Sequence, residues 1–252
     1  MLASLDGLLW LLLLLGPLLL LQRGLHREIQ AVLLLLTRRP DVSVALFSLL
    51  FLPGVLLHES SHYLVARLLG VRTGRFSIMP RPLKNGRLQL GFVETAPADW
   101  LRDALIGAAP LITGGLFVAY AGLRRLGLDG LWGALLRDGG EALAGGLAQV
   151  YTQPDFWLWF YLTVAVSSTM LPSAADRRAW LPMALVVGLL LVASLFVGAG
   201  PWLLAQAAPV LNRGLQAVAV VFGISAVIQL LLLLPFWGAH RLLSQAFKMD
   251  VA

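Results

Sequence analysis

The sequence predicts an all-α polytopic membrane protein with about six transmembrane helices and a small membrane-associated β-hairpin. Composition carries the first half of that reading, because 59% of the 252 residues are hydrophobic, only 13% are charged and the mean hydropathy is +0.83. A soluble domain carries about 25% charged residues, so the solvent for most of this chain is lipid. Six apolar stretches, 5–21, 42–69, 101–121, 156–172, 181–199 and 215–237, carry the helix count, each lying near the roughly 20 residues that cross a bilayer as helix. Nothing between them is long enough to bury a separate core, which leaves one membrane domain over 1–252.

The first stretch reads as a retained helix rather than a signal peptide. It carries Asp6, lacks a basic leader and is followed by Gln22-Arg23-Gly24-Leu25-His26 instead of a small-residue cleavage site. Residues 22–40 then read as a connection, with an amphipathic interfacial run from Glu28 to Leu36 closed by Thr37-Arg38-Arg39-Pro40. Between the second and third stretches, residues 74–93 hold two period-two apolar runs around Asn85-Gly86, a hairpin signal. Pro80 and Pro82 restrict pairing in its first strand, and an ordinary surface loop is the alternative. Residues 122–155 form a Gly-rich connection that suits surface helices or a re-entrant piece.

The net charge of +6 is spread over short connections, which suits membrane insertion and argues against nucleic acid as a partner. With no cysteine, disulfides and thiolate chemistry are excluded, and any metal site must use histidine and carboxylate.

His58-Glu59-Ser60-Ser61-His62 supplies such a set. Residues four apart share a helix face, so His58 and His62 can offer two imidazole nitrogens to one tetrahedral zinc. Glu59 then sits beside the open coordination position, where it can take a proton from water and pass it to a leaving amine. On a straight second span that begins after Asp41, His58 lies about 25 Å along the axis, inside the hydrocarbon core and near one face. Buried ionisable residues at such depth face a protein interior with partners, and mutual satisfaction across helices is the purely structural alternative.

A catalytic zinc needs a third protein ligand. If the spans alternate, the fourth runs parallel to the second and its far end brings Asp176 to the depth of the histidines, with Pro172 ending that helix. Asp155 falls at the opposite end, Glu141 belongs to the connection on that distant side, and Asp99 suits the cap of the third helix. The alternative for Asp176, beside Arg177 and Arg178, is a hydrated interfacial residue.

These residues resemble the site-2 protease family, zinc intramembrane metalloproteases with an HExxH helix and an aspartate ligand from a later helix. The resemblance covers about residues 42–180, leaving the helices at 5–21, 181–199 and 215–237 as additions. Ser168 stands where the family has the Asn that opens its aspartate motif, and Arg177 where it has Gly. Residues 107–113 resemble the family's Gly-Pro-x-x-Asn segment, with Ala109 and Thr113 replacing Gly and Asn. The family also places a membrane-associated β-structure where residues 74–93 lie.

The resemblance implies Zn2+ held by His58, His62 and Asp176, with Glu59 catalytic. Leu90, Gly91, Phe92 and Val93 on the hairpin edge, with Pro110, Thr113 and Ser168, would receive substrate. The expected activity is hydrolysis of peptide bonds in or near transmembrane segments of other proteins. The setting implied is a prokaryotic plasma membrane, with the lipid bilayer as partner and the active site nearer the cytoplasmic face. A slight excess of basic residues on the hairpin side, counting Arg241 and Lys248 there and Arg213 on the other, points the same way. The competing expectation is a non-proteolytic metal-binding membrane protein, either a transporter or an inactive protease relative acting as scaffold. Glu59 speaks against simple metal carriage, which needs ligands but no base.

Overall fold

The computed structural model describes residues 6–82, 88–128, 150 and 152–248. Helix α1 spans Asp6–Thr37 without interruption, so the expected first span and interfacial run are one rod of 32 residues, about 48 Å long. Pro17 and the glycines Gly7, Gly16 and Gly24 are the residues of α1 that most disfavour helix, and Gln22 and Glu28 in the expected connection are satisfied by packing. Gln22 Nε2 donates to the Ser168 carbonyl at 2.6 Å, and Glu28 pairs with Arg27 at 2.9 Å and with His240 Nδ1 at 2.5 Å. Buried polar groups are tolerable in an apolar helix once each has such a partner.

The second apolar stretch is broken. Helix α2 (Pro40–Leu50) and helix α3 (Leu52–Leu68) meet at Phe51 with a 66° bend. Pro53 accounts for it, because its ring lacks an N–H and clashes with the carbonyl four residues earlier. The depth inferred for His58 along a straight helix therefore shortens: it lies about 9 Å past the kink along a tilted α3.

Four short strands follow: β1 (Thr73–Ser77), β2 (Arg81–Pro82), β3 (Leu88–Gln89) and β4 (Phe92–Thr95). β1 pairs antiparallel with β4, Phe76 opposite Val93, and β2 with β3, Pro82 opposite Leu88. This is the nested pairing of a hairpin; the Asn85-Gly86 turn lies outside the described residues.

Helix α4 spans Trp100–Tyr120 and continues through a π-helical turn, Ala121–Arg125. Asp99 caps it as expected, accepting from the Leu101 and Arg102 amides at 3.1 Å each. The interior of the 122–155 connection, including Glu141, lies outside the described residues. Helix α5 (Phe156–Ser167) stops five residues before Pro172, so the proline follows the helix end rather than causing it. Helix α6 spans Trp180–Phe196, and the turns Gly200–Trp202 and Leu203–Ala207 lead into helix α7, Ala208–Phe247.

Among the described residues, three helices are long and apolar enough to cross a membrane, or four if the bent α2–α3 pair is one span. The fourth and fifth expected spans instead form α5 and α6, of 12 and 17 residues. Direction also departs from strict alternation. Gly7 N–H bonds Asn212, Leu14 lies against Gly223, Gly24 faces Leu233 and Glu28 meets His240, so α1 and α7 pack in parallel. The chain leaves α5 and begins α7 at the same end of the bundle, so α6 cannot be a full crossing between them. Arg241 and Lys248 thereby join the end opposite the hairpin while Arg213 joins the hairpin end, and the basic residues no longer favour either face.

The core has two main clusters. Leu25, Ile29, Phe47, Phe51, Val55, Phe156 and Val164 fill one, and Leu18, Val118, Val166, Met170 and Phe222 the other. Between apolar helices in lipid there is little hydrophobic gain on association, so close backbone approach through small residues supplies contact. At Gly54 an added Cβ would strike the Ala165 carbonyl, and at Gly114 it would lie 2.5 Å from Met170 Cβ. These glycines bring α3 and α4 onto α5.

The parallel packing is checked with single-cysteine labelling, for which the cysteine-free chain needs no background removal. Arg39→Cys and Lys248→Cys should label from one side of the membrane and Arg75→Cys from the other. Lys248→Cys labelling together with Arg75→Cys would restore an antiparallel last helix.

Candidate metal centre

Helix α3 presents His58 and His62 one turn apart, and the segment after α5 brings Asp176 to them. His58 Nε2 and His62 Nε2 are 3.2 Å apart, Asp176 Oδ1 is 3.3 Å from His62 Nε2, and Oδ2 is 3.8 Å from His58 Nε2. One ligand atom from each residue lies within 4.8 Å of the others. A tetrahedral zinc with bonds of about 2.0–2.1 Å has ligand atoms about 3.3–3.4 Å apart, so the three groups have the spacing to hold one ion.

The remaining ring nitrogens orient both imidazoles. His58 Nδ1 lies 2.6 Å from the Thr169 carbonyl and His62 Nδ1 2.8 Å from the Ile106 carbonyl. A carbonyl only accepts, so each Nδ1 must carry the proton, which leaves the Nε2 lone pair free to ligate. The position of the Thr169 carbonyl follows from packing. Gly54 sets α3 against Ala165, and four residues further along each segment stand His58 and Thr169, the latter just past the end of α5.

Asp176 is held by its own turn. The Ser173 amide donates to Asp176 Oδ2 at 2.7 Å, and the Asp176 amide to Ser173 Oγ at 3.3 Å. Burial works against its ionisation, but the neighbouring imidazoles of His58 and His62 and the Ser173 amide hold the Asp176 carboxyl well below the usual carboxylate range. At Gly107 an added Cβ would collide with the Asp176 carbonyl oxygen, so α4 supports this turn by direct backbone contact. Arg178 also reaches Asp103 on α4 at 2.9 Å. With Arg178 63% exposed, that pair is worth about 0–1 kcal/mol, and the Gly107 contact is the firmer constraint.

A cavity of about 650 Å³ opens beside the centre. Glu59, 7% exposed, lines it together with His58, His62 and Asp176. Leu90, Gly91, Phe92, Val93 and Ser168 also line it. Gly91 lies directly over Glu59, where a Cβ would come within 2.8 Å of Glu59 Cγ. Pro110 and Thr113 are elsewhere: Pro110 is buried within α4, and Thr113 Oγ1 donates to the Ala109 carbonyl at 3.0 Å. Asp155 begins α5 at its far end.

Ser173, Asp103, Arg178 and the carbonyls of Ile106 and Thr169 were not legible as site residues. Gly107 was legible only as part of a motif. A main-chain acceptor leaves no mark on residue type, and the Asp103–Arg178 pairing spans 75 positions.

Comparison with known protein families, characterised proteins and solved structures finds no match to this chain.

Gly107→Ala puts a methyl group where the Asp176 carbonyl lies, and should displace that ligand. Affinity for a divalent metal ion, read by competition with a chelator, should fall about ten- to a hundredfold while the helical signal persists. Unchanged affinity would detach Asp176 from the metal.

Proposed function

We propose that this chain is a zinc-dependent intramembrane endopeptidase, acting on peptide bonds in or near transmembrane segments of other membrane proteins. The observation that carries the reading is the convergence of His58, His62 and Asp176 on one point, with the Glu59 carboxyl beside it in a cavity. A metal-holding structural site needs no such neighbour, and closed structural zinc sites use four protein ligands. Here three ligands leave a position for water, as catalytic zinc requires. The likeness of these residues to the site-2 protease pattern supports the same conclusion.

When bound, zinc supplies Lewis acidity that activates water and polarises a peptide carbonyl. Glu59 takes the proton of the attacking water as its oxygen adds to the carbonyl carbon, then delivers that proton to the amine nitrogen as the C–N bond breaks. Thr169 and Ile106 hold the imidazoles in the tautomer that this needs. Leu90 and Gly91, on the edge of the hairpin facing the cavity, receive the substrate as an extended segment by backbone hydrogen bonding, which gives affinity with little side-chain preference. In this reading the protein is multi-pass with five crossings: α1, the α2–α3 pair, α4, α7, and α5 extended by the segment to Arg178, which meets Asp103 in the first turn of α4.

Glu59→Gln keeps shape but removes the base. Zinc should remain bound while cleavage of a transmembrane substrate falls about a hundred- to ten-thousandfold. His58→Ala and His62→Ala should lose metal and turnover together. Full turnover by purified Glu59→Gln protein would contradict the assignment. For the edge, Leu90→Pro should impair cleavage without unloading zinc. Gly91→Pro tests something else, because any side chain there meets Glu59.

A further inference from the structure

Helix α5 ends at Ser167, and the carbonyls that follow have no helical partner of their own. Two of them lie next to each other at the centre. The Thr169 carbonyl faces His58 Nδ1 at 2.6 Å, and the Ser168 carbonyl accepts from Gln22 Nε2, also at 2.6 Å. Gln22 belongs to α1, which the protease resemblance does not include, and sits half-buried in a helix of leucines. Its amide is the polar contact by which α1 reaches the Ser168–Asp176 segment.

We propose that Gln22 is a positioning residue of the metal centre. By holding the Ser168 carbonyl it fixes the point where α5 gives way to the ligand-bearing segment. That in turn fixes the Thr169 carbonyl and the His58 imidazole it orients. Directional hydrogen bonding from an outer helix does what side-chain packing alone would do loosely, since a freed carbonyl in a buried setting can turn toward another donor.

The inference rests on the metal reading above, and the test separates the two. Gln22→Met preserves length and apolar packing but removes the donor, and Gln22→Asn keeps the amide while withdrawing it by one methylene. Zinc affinity is measured by chelator competition, and ligand geometry by the visible absorption of the Co2+-loaded full-length protein, alongside thermal unfolding. Both variants should bind zinc at least fivefold more weakly and show altered cobalt bands, with unfolding temperature near that of wild type. Wild-type protein that binds no metal defeats the metal reading itself. Wild-type affinity and an unchanged cobalt spectrum in either folded variant overturn the role of Gln22 alone. Failure of both variants to fold would assign Gln22 to folding and equally overturn it.

Discussion

The backbone contact between Gly54 on α3 and the Ala165 carbonyl on α5 is the constraint on which the rest of the centre depends. No other residue fits there, since a Cβ would overlap the carbonyl. The contact sets the register of the two helices, and that register decides what stands one turn further on. His58 meets the Thr169 carbonyl, the chain leaves α5, and Asp176 arrives at the Nε2 atoms of both histidines. Gly107 repeats the device on α4, admitting the Asp176 backbone where a side chain would exclude it. In lipid, where association brings little hydrophobic gain, such close approach supplies the packing energy and the precision together.

Several polar groups in this apolar chain are paired for the same reason. Glu28 joins His240 and Arg27, Gln22 joins Ser168, and each site histidine joins a carbonyl. An unpaired group buried there costs about 1–3 kcal/mol, so these pairs restrict how the helices can slide or rotate. The α1–α7 pair is tied in this way at Gly7–Asn212 and again at Glu28–His240, and through Gln22 it bears on the centre.

Much of this was legible in the residues, though unevenly. HExxH spacing announces two imidazoles on one helix face, and the later aspartate was reached from chain direction and expected depth; the structure brings the three together. The hairpin was legible from period-two patterning and a turn signal. What composition hid was continuity and direction. Gln22, Arg27 and Glu28 look like a break between helices because sequence shows polarity without showing the partner 212 positions away that satisfies it. Pro53 was readable as a helix disturbance, yet the apolar run around it reads as one span. The parallel course of α7 rests on contacts between chain ends, which no local pattern records, and Pro110 and Thr113 entered the expected site by motif likeness while α4 turns them away from the cavity.

X-ray absorption at the zinc edge of the purified full-length protein tests the central claim most directly. The account predicts one zinc per chain, with two histidine nitrogens at about 2.0–2.1 Å and a carboxylate oxygen at about 2.0–2.2 Å that is lost in Asp176→Asn. A chain that takes up no zinc, or a bound zinc whose coordination is unchanged by Asp176→Asn, would contradict it.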